Sequence, residues 1–281
     1  LNYAKRKWPE ALDKYDAYEQ QMGQRNSLSK TDPDATFMRM KEDHMLNGQL
    51  KPGYNWQVST QNQYILEYTL HQNPTDVRTL TTHMESMKDT LGQLPDRVVA
   101  DAGYGSEENY KYLEDNDVEA YIKYSTFHKE DSKKWKENPQ YVDNLHYNKE
   151  KDCYYCPMGQ PMTFIGRRRY RNKNGYWIYK KAYKAQRCEG CPMRGICHKR
   201  KGERIIEVAP GWNQYRAISK ERLNSELGKY YRSKRPTEVE PVFGMVKSNR
   251  GYRRFLLRGL DKVEIEAGLL SLAHNLLKMA N

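Results

Sequence analysis

DRVVADAGYGSEENYKYLEDNDVEAYIKY, residues 96–124, is the stretch whose reading decides the fold class. Val98-Val99-Ala100 is a short unbroken apolar run, the pattern of a buried strand rather than of a half-exposed one. It ends at Asp101, and Ala102-Gly103 follows at once. Ser106 is placed to cap a helix over SEENYKYLEDN. VEAYIKY, residues 118–124, reads as a second strand. Open α/β sheets bind ligands outside the carboxyl ends of their strands, so Asp101 stands where a carboxylate can meet metal or substrate. The plainer role for it is to cap the turn into the helix.

Upstream, Pro52-Gly53 precedes two further strand patterns, YNWQVSTQ and YILEYTLHQ, with Asn62-Gln63 at the turn of a hairpin. A helix is predicted from Asp76, with an acid in its first turn, Gly92 near its end and Leu94-Pro95 as its breaker. The order strand, strand, helix, strand, helix, strand predicts a mixed sheet with helices packed on it. Residues 1–47 read as a polar connector, helical where Trp8, Leu12, Tyr15 and Met22 recur. Downstream, helical periodicity returns at Ser219 and breaks at Pro236, which suits the first turn of a new helix. In that helix Val239, Val242, Phe243 and Val246 share one face. Glu240 and Lys247 lie along one stripe beside it, and Glu238 flanks it on the other side. Residues 262–279 form an apolar helix expected to pack across the sheet.

Between these flanks, from about residue 125 to 205, the pattern dissolves into Lys, Tyr, Asn and Gly, with short strands near 161–169 and 176–183. All five cysteines lie here, at 153, 156, 188, 191 and 197. Two C-x-x-C pairs have the spacing of a tetrahedral zinc site, which points to Cys153, Cys156, Cys188 and Cys191. Clustered thiols in odd number fit metal ligation in a reducing compartment, so the expected location is the cytoplasm. The formal net charge is +12, and Phe164 to Arg204 alone holds fourteen Lys or Arg against Glu189 and Glu203. Arg168 and Arg169 stand among Tyr170, Tyr176, Trp177, Tyr179 and Tyr183, mixing phosphate-binding cations with stacking faces. Nucleic acid is the expected partner.

The composition is 37% hydrophobic and 30% charged, with a mean hydropathy of −1.04. No run approaches the roughly 20 apolar residues of a membrane span, so no membrane partner is expected. His44, His71, His83, His128, His146 and His274 are scattered singly. No nucleophile elbow, P-loop or dinucleotide fingerprint occurs.

VADAGYGSEENY, together with RPTEVEPVFGMVKSNRGYRRFLLRGLDKVEIEAGLLSLAHNLLKM, resembles the catalytic half of bacterial insertion-sequence transposases of the DDE type. LSKTDPDATFMRMK, YNWQVSTQ, YYCPMG and CEGCPMRGIC carry the same resemblance in the family's order. It implies an RNase H-like fold, an α/β sheet flanked by helices and interrupted by a small Cys-rich zinc-binding β insertion. The implied domains are a connector (1–47), the first part of the core (48–124), a basic zinc insertion (125–205) and the second part of the core (206–281). The family pattern V-E-x-x-F-G-x-x-K falls on Val239 to Lys247, which selects Glu240 as the catalytic Glu and Lys247 as a DNA contact. Asp101 takes the place of the family's second Asp.

The implied cofactors are two Mg²⁺ or Mn²⁺ ions at the carboxylates and one structural zinc. For zinc the resemblance favours Cys156, Cys188, Cys191 and Cys197. Arg235, Arg250, Arg253, Arg254 and Arg258 would join Lys247, Arg168 and Arg169 on DNA, and a homodimer would act on paired transposon ends. The chain departs from the family twice. No Asp-Gly-Thr strand precedes the connector, so the first catalytic Asp and the first strand are expected upstream of Leu1. Asp32 and Asp34 read as turn or capping residues in its stead. Tyr231 and Arg235 lie one residue too far from Glu240, and Pro236 holds the Arg position. The expected activity is metal-dependent DNA cleavage and strand transfer. The rival reading is an inactive remnant that keeps a zinc-containing DNA-binding fold.

Overall fold

The computed structural model describes residues 2–40 and 48–280, with side chains from Lys7 onward. The elements of the first half are α1 (Asn2–Met22), β1 (Thr36–Arg39), β2 (Leu50–Gly53), β3 (Asn55–Gln61), β4 (Tyr64–His71), α2 (Leu80–Leu91), β5 (Arg97–Ala100), α3 (Glu107–Asp115) and β6 (Glu119–Ile122). β1 and β2 pair with each other. β3 and β4 form the expected hairpin, turned by Asn62 and Gln63 at φ of 52° and 65°. Two successive left-handed residues give the twist that matches a tight hairpin. A 3-10 turn at Asp76–Arg78 leads into α2, which Gly92 ends at φ 76°. β5 and β6 run parallel on either side of α3, whose Ser106 cap accepts from the Asn109 N–H at 3.2 Å. Leu80, Met84 and Met87 of α2 bury against Tyr110 and Leu113 of α3 and against Val118, Ala120 and Ile122.

The single mixed sheet does not form. β3–β4 and β5–β6 are separate two-stranded sheets among the described residues. No edge of the β3–β4 hairpin pairs with an edge of β5–β6, and β1 is taken up by β2. Helices hold the pairs together instead. α2 packs on β4 while sharing its core with β5 and β6.

The second bridge is a long helical rod, α5 (Pro210–Asn224), α6 (Glu226–Glu238) and α7 (Glu240–Gly244), preceded by the short α4 (Lys133–Lys136) in the intervening segment. The rod differs from the sequence reading. It begins at Pro210, whose fixed φ suits a first turn, rather than at Ser219. It breaks at Ser225, whose hydroxyl caps α6 by accepting from the Gly228 N–H at 3.0 Å. Pro236 lies inside α6. Its missing N–H forfeits one bond, and the chain stays helical because the Val239 N–H still reaches the Arg235 carbonyl at 3.3 Å. α7 passes into a π-helical turn at Met245–Asn249, with Val242 and Val246 buried as the periodicity predicts. α6 lies on β5 and β6, and the Glu238 carboxylate at its end accepts from the Gln63 N–H of the hairpin turn at 2.9 Å.

α8 (Leu260–Met279) packs on β4, with Gly268 against the Tyr68 ring. The Asn275 amide accepts from the Ile65 N–H and donates to its carbonyl, both at 2.8 Å, and so closes an open strand edge. Asp32 and Asp34 are indeed capping residues. They accept from the Gly259 and Leu260 N–H groups at the start of α8, at 3.1 and 2.9 Å.

The Cys-rich segment folds as one antiparallel sheet of five strands. These are β7 (Tyr147–Asn148), β8 (Cys153–Tyr155), β9 (Pro161–Arg171), β10 (Trp177–Ala185) and β11 (Ile205–Val208), ordered 11-10-9-8-7. The sheet runs to Val208, beyond the boundary at 205. Arg216 of α5 ties it to the rest of the protein by pairing with Glu130 and with Asp143 at 2.8 Å.

Candidate active site

Asp101 follows the last residue of β5 and starts a 3-10 turn, Ala102–Tyr104, while its side chain makes no capping bond. The turn is pressed against two neighbours. A Cβ on Gly105 would lie 2.5 Å from the Lys123 carbonyl oxygen, so only glycine lets this loop lie on the end of β6. A Cβ on Gly103 would stand 3.0 Å from Oδ2 of Asp76. Asp76 Oδ1 accepts from Asn55 Nδ2 at 2.9 Å and from Gln57 Nε2 at 3.2 Å. Tyr104 donates its hydroxyl to Gln57 Oε1, which locks the turn to β3. Burial, with Asp76 and Asp101 nearby, raises the Tyr104 pKa and keeps it a donor.

Asp101 and Glu240 come from opposite flanks of the Cys-rich sheet and meet at one cation. Arg235 Nη2 is 2.5 Å from Asp101 Oδ2, and Arg235 Nη1 is 3.8 Å from Glu240 Oε1. The side chains are 47% and 66% exposed for the carboxylates and 20% for the arginine. Glu238 is spent on the hairpin turn, so of the two glutamates flanking the apolar stripe, Glu240 is the one left open to solvent. Arg235, which the resemblance sets on DNA, lies between the two carboxylates and pairs with both. Tyr231 packs on Tyr121 with ring centroids 4.8 Å apart, so it faces β6.

Carboxylate oxygens at this exposure suit a hard divalent ion. Even so, no three His, Cys, Asp or Glu side chains converge as a metal-holding group among the described residues. The oxygen set fits part of an ion's coordination shell, and Arg235 now supplies its countercharge.

For the thiols, Cys156 packs against the same apolar cluster as Cys188, while Cys153 and Cys197 are also buried and Cys191 is half-buried. Arg204 links Cys188 and Cys197, its N–H lying 3.3 Å from one sulfur and its Nη1 2.7 Å from the other. Cys191 follows on a tight turn, its N–H 3.4 Å from the Cys188 carbonyl. Among the described residues the thiols do not converge as a metal-holding group, and the zinc reading rests on their spacing.

The basic residues fall into two groups. Phe255 packs on Tyr54, Trp56 and Tyr252. The Glu266 carboxylate accepts from Leu256 and Leu257 N–H groups at 2.9 and 3.0 Å. This pins the loop after α7 and leaves Arg253, Arg254 and Arg258 exposed, with Arg250 half-buried. Lys247 lies 5.3 Å from the centroid of the Phe243 ring. On the Cys-rich sheet Arg168 pairs with Glu207 at 2.5 Å, and Arg169 sits 5.1 Å from the centroid of the Trp177 ring. The tip of the β9–β10 hairpin is held at the start of α3 and at the 3-10 turn before α2. Asn172 donates to Glu108 at 2.6 Å, Arg78 to Asn174 at 2.6 Å and Tyr176 to Glu107 at 3.2 Å. Burial and Glu107 push the Tyr176 hydroxyl up to about 12, so it remains a donor at neutral pH.

Sequence reasoning missed Asp76, Asn55, Gln57 and Glu266. Alternating polar residues in N-W-Q on a strand with one buried face were the available signal for two of them. Of the histidines, His83 is buried between Ser59 and Thr69, both at 2.7 Å, and His274 bonds the Gln63 carbonyl at 2.9 Å. His44 lies outside the described residues. No described helix is long and apolar enough to cross a membrane.

No curated protein and no solved structure matches the chain. Residues 155–280, which include Glu240 and stop short of Asp101, match the family model of a transposase DDE domain, and this match supports a DDE transposase.

Proposed function

We propose that the protein carries out divalent-metal-dependent DNA strand cleavage and strand transfer of the DDE type, in the transposition of a bacterial insertion sequence. The observation that carries this reading is the meeting of Asp101 and Glu240 on Arg235, with Glu240 inside the matched region. The fold behind it would be RNase H-like, with α2 and α6 holding the β3–β4 hairpin beside the β5–β6 pair. Asp101 and Glu240 would hold Mg²⁺ or Mn²⁺. When bound, the metal would supply Lewis-acid activation of the attacking oxygen and stabilise the leaving oxygen.

The chain's own residues would do the rest. Arg235, released from the carboxylates, is close enough to offer its fork to the scissile phosphate. Lys247, Arg250, Arg253, Arg254 and Arg258 would hold the backbone beside it without reading sequence. Arg168 and Arg169 would grip DNA further out, on a hairpin whose tip is anchored at the start of α3. Cys156, Cys188, Cys191 and Cys197 would take a structural zinc, a choice supported by Arg204, which contacts the sulfurs of both Cys188 and Cys197.

Iron substituted for magnesium tests the metal site without relying on turnover. With ascorbate and peroxide, bound iron should cut the backbone near residues 101 and 240. Asp101→Asn and Glu240→Gln should each remove those cuts. Cuts elsewhere, or cuts that persist in both variants, would sink the assignment. Zinc content is read separately, and Cys188→Ser should lose it while Cys153→Ser keeps it.

A further inference from the structure

Two helices in this chain present the same unburied seam. On α8, Ile265, Leu269, Leu272, Leu276 and Met279 recur at intervals of four, three, four and three, and all are between 55% and 71% exposed. The opposite face of α8, with Val263, Ala267, Ser271 and His274, is the one buried on the hairpin. On α1, Trp8, Leu12, Tyr15, Glu19 and Met22 repeat the same intervals over the same length, and Trp8, Leu12 and Tyr15 are 59% to 66% exposed. This alternation of four and three is the spacing that lets two helices interlock side chains. A run of exposed leucines this regular marks an interaction surface.

We infer that α1 of one copy seats on α8 of a second copy, parallel to it, in a two-fold exchange of arms. Three observations choose this occupant. The base of α1 is fixed, because Arg25 donates to the Gln21 carbonyl at 2.5 Å, to Met22 at 3.1 Å, and to Pro33 and Asp34 at 2.8 Å each. Asp34 in turn caps α8, so the end of α1 is anchored near the start of α8. Folding back within one chain would therefore make the two helices antiparallel.

Charge opposes that arrangement. With Met22 facing Ile265, it would bring Lys7, in the basic first part of α1, toward Lys278, and Glu19 toward Glu264. In the parallel arrangement the basic start of α1 meets the acidic start of α8, and its acidic end meets Lys278. Glu19 then stands opposite Leu276 as the one polar position, which fixes register. A 21-residue helix is about 30 Å long, enough to span the α8 seam. Two such pairings bury roughly 2,000 Å² in total, the scale of a stable dimer.

The inference gives an interface to the homodimer expected of a transposase, but its grounds are α1 and α8 alone. Sedimentation equilibrium of the 281-residue chain across the micromolar range tests it. The wild type should be dimeric. Leu269→Glu with Leu272→Glu should weaken association at least about 100-fold. Leu12→Glu with Tyr15→Glu should do the same. Leu12 and Tyr15 are exposed, so this second variant reports on the interface even if the first fails to fold. A monomeric wild type, or a dimer that survives the α1 variant, would overturn the inference, the latter by showing that α8 pairs with something other than α1. A monomer would leave the iron-cleavage test of the metal site unaffected, so the two readings fail separately.

Discussion

Asp32 and Asp34 stand at the beginning of α8, while Asp101 and Glu240 stand at the beginnings of a 3-10 turn and of α7. The first pair is spent: Tyr54 donates its hydroxyl to both oxygens of Asp32 at 2.9 Å, and backbone N–H groups of Gly259 and Leu260 take the rest. The second pair makes no capping bond and shares a single guanidinium in the open. Four acids near four element starts thus divide by how fully their oxygens are used. Saturated carboxylates build the fold, and undersaturated ones are left for chemistry.

That division can be broken by substitution. In the intact enzyme, Asp101→Asn and Glu240→Gln should each lower metal-dependent nicking of DNA at least about 1,000-fold, some 4 kcal/mol in the barrier. Neither should lower the melting temperature by more than a few degrees, because an exposed ion pair contributes little. A large loss of stability in either variant would place these residues with the first pair.

Next in size is a pH effect on another saturated network. His83 accepts and donates between Ser59 and Thr69 in the packing of α2 on the hairpin. Burial, with His71 adding to it, pushes its pKa down to about 4. The unfolded chain therefore takes up this proton first as pH falls. The stability that neutral His83 contributes is whole above about pH 6.5 and is lost progressively as pH drops to about 4, a total of roughly 3 kcal/mol. Denaturant titrations at stepped pH should show this slope, and His83→Gln should flatten it.

Asp32→Ala should follow, at about 2 kcal/mol, since it strands the Tyr54 hydroxyl and the Gly259 N–H. For a chain of this size that is a fall of several degrees in melting temperature. Iron-directed cutting at 101 and 240 should survive. Its loss would mean that the α8 cap and the site are one unit.

What was legible in the sequence follows the same line. The hairpin, the strand ending at Asp101 and the Ser106 cap were readable because each is set by residues within a few positions. The helix boundaries at Pro210 and Ser225 were not, since Pro236 is the louder local signal and the packing of Val242 and Val246 overrides it. The split into two sheets was hidden because strand pairing is decided by neighbours far along the chain. Asp101 and Glu240 were visible as candidates. Their shared partner was not, because nothing in the spacing of Arg235 says that it turns toward Asp101.

The smallest effect sharpens the comparison at the basic loop. Glu266 is a saturated carboxylate like Asp32, holding Tyr252 and the Leu256 and Leu257 N–H groups, and the arginines it displays are unsaturated like Asp101. Arg253→Ala with Arg254→Ala should leave stability within about 0.5 kcal/mol. It should weaken DNA binding about tenfold and reduce the salt slope by roughly two, one for each phosphate no longer neutralised. Glu266→Gln should lower stability instead, because a neutral amide can no longer accept from three donors with full charge. If the arginine pair changes stability and not the salt slope, this loop belongs to the scaffold, and DNA must approach from the β9–β10 hairpin alone.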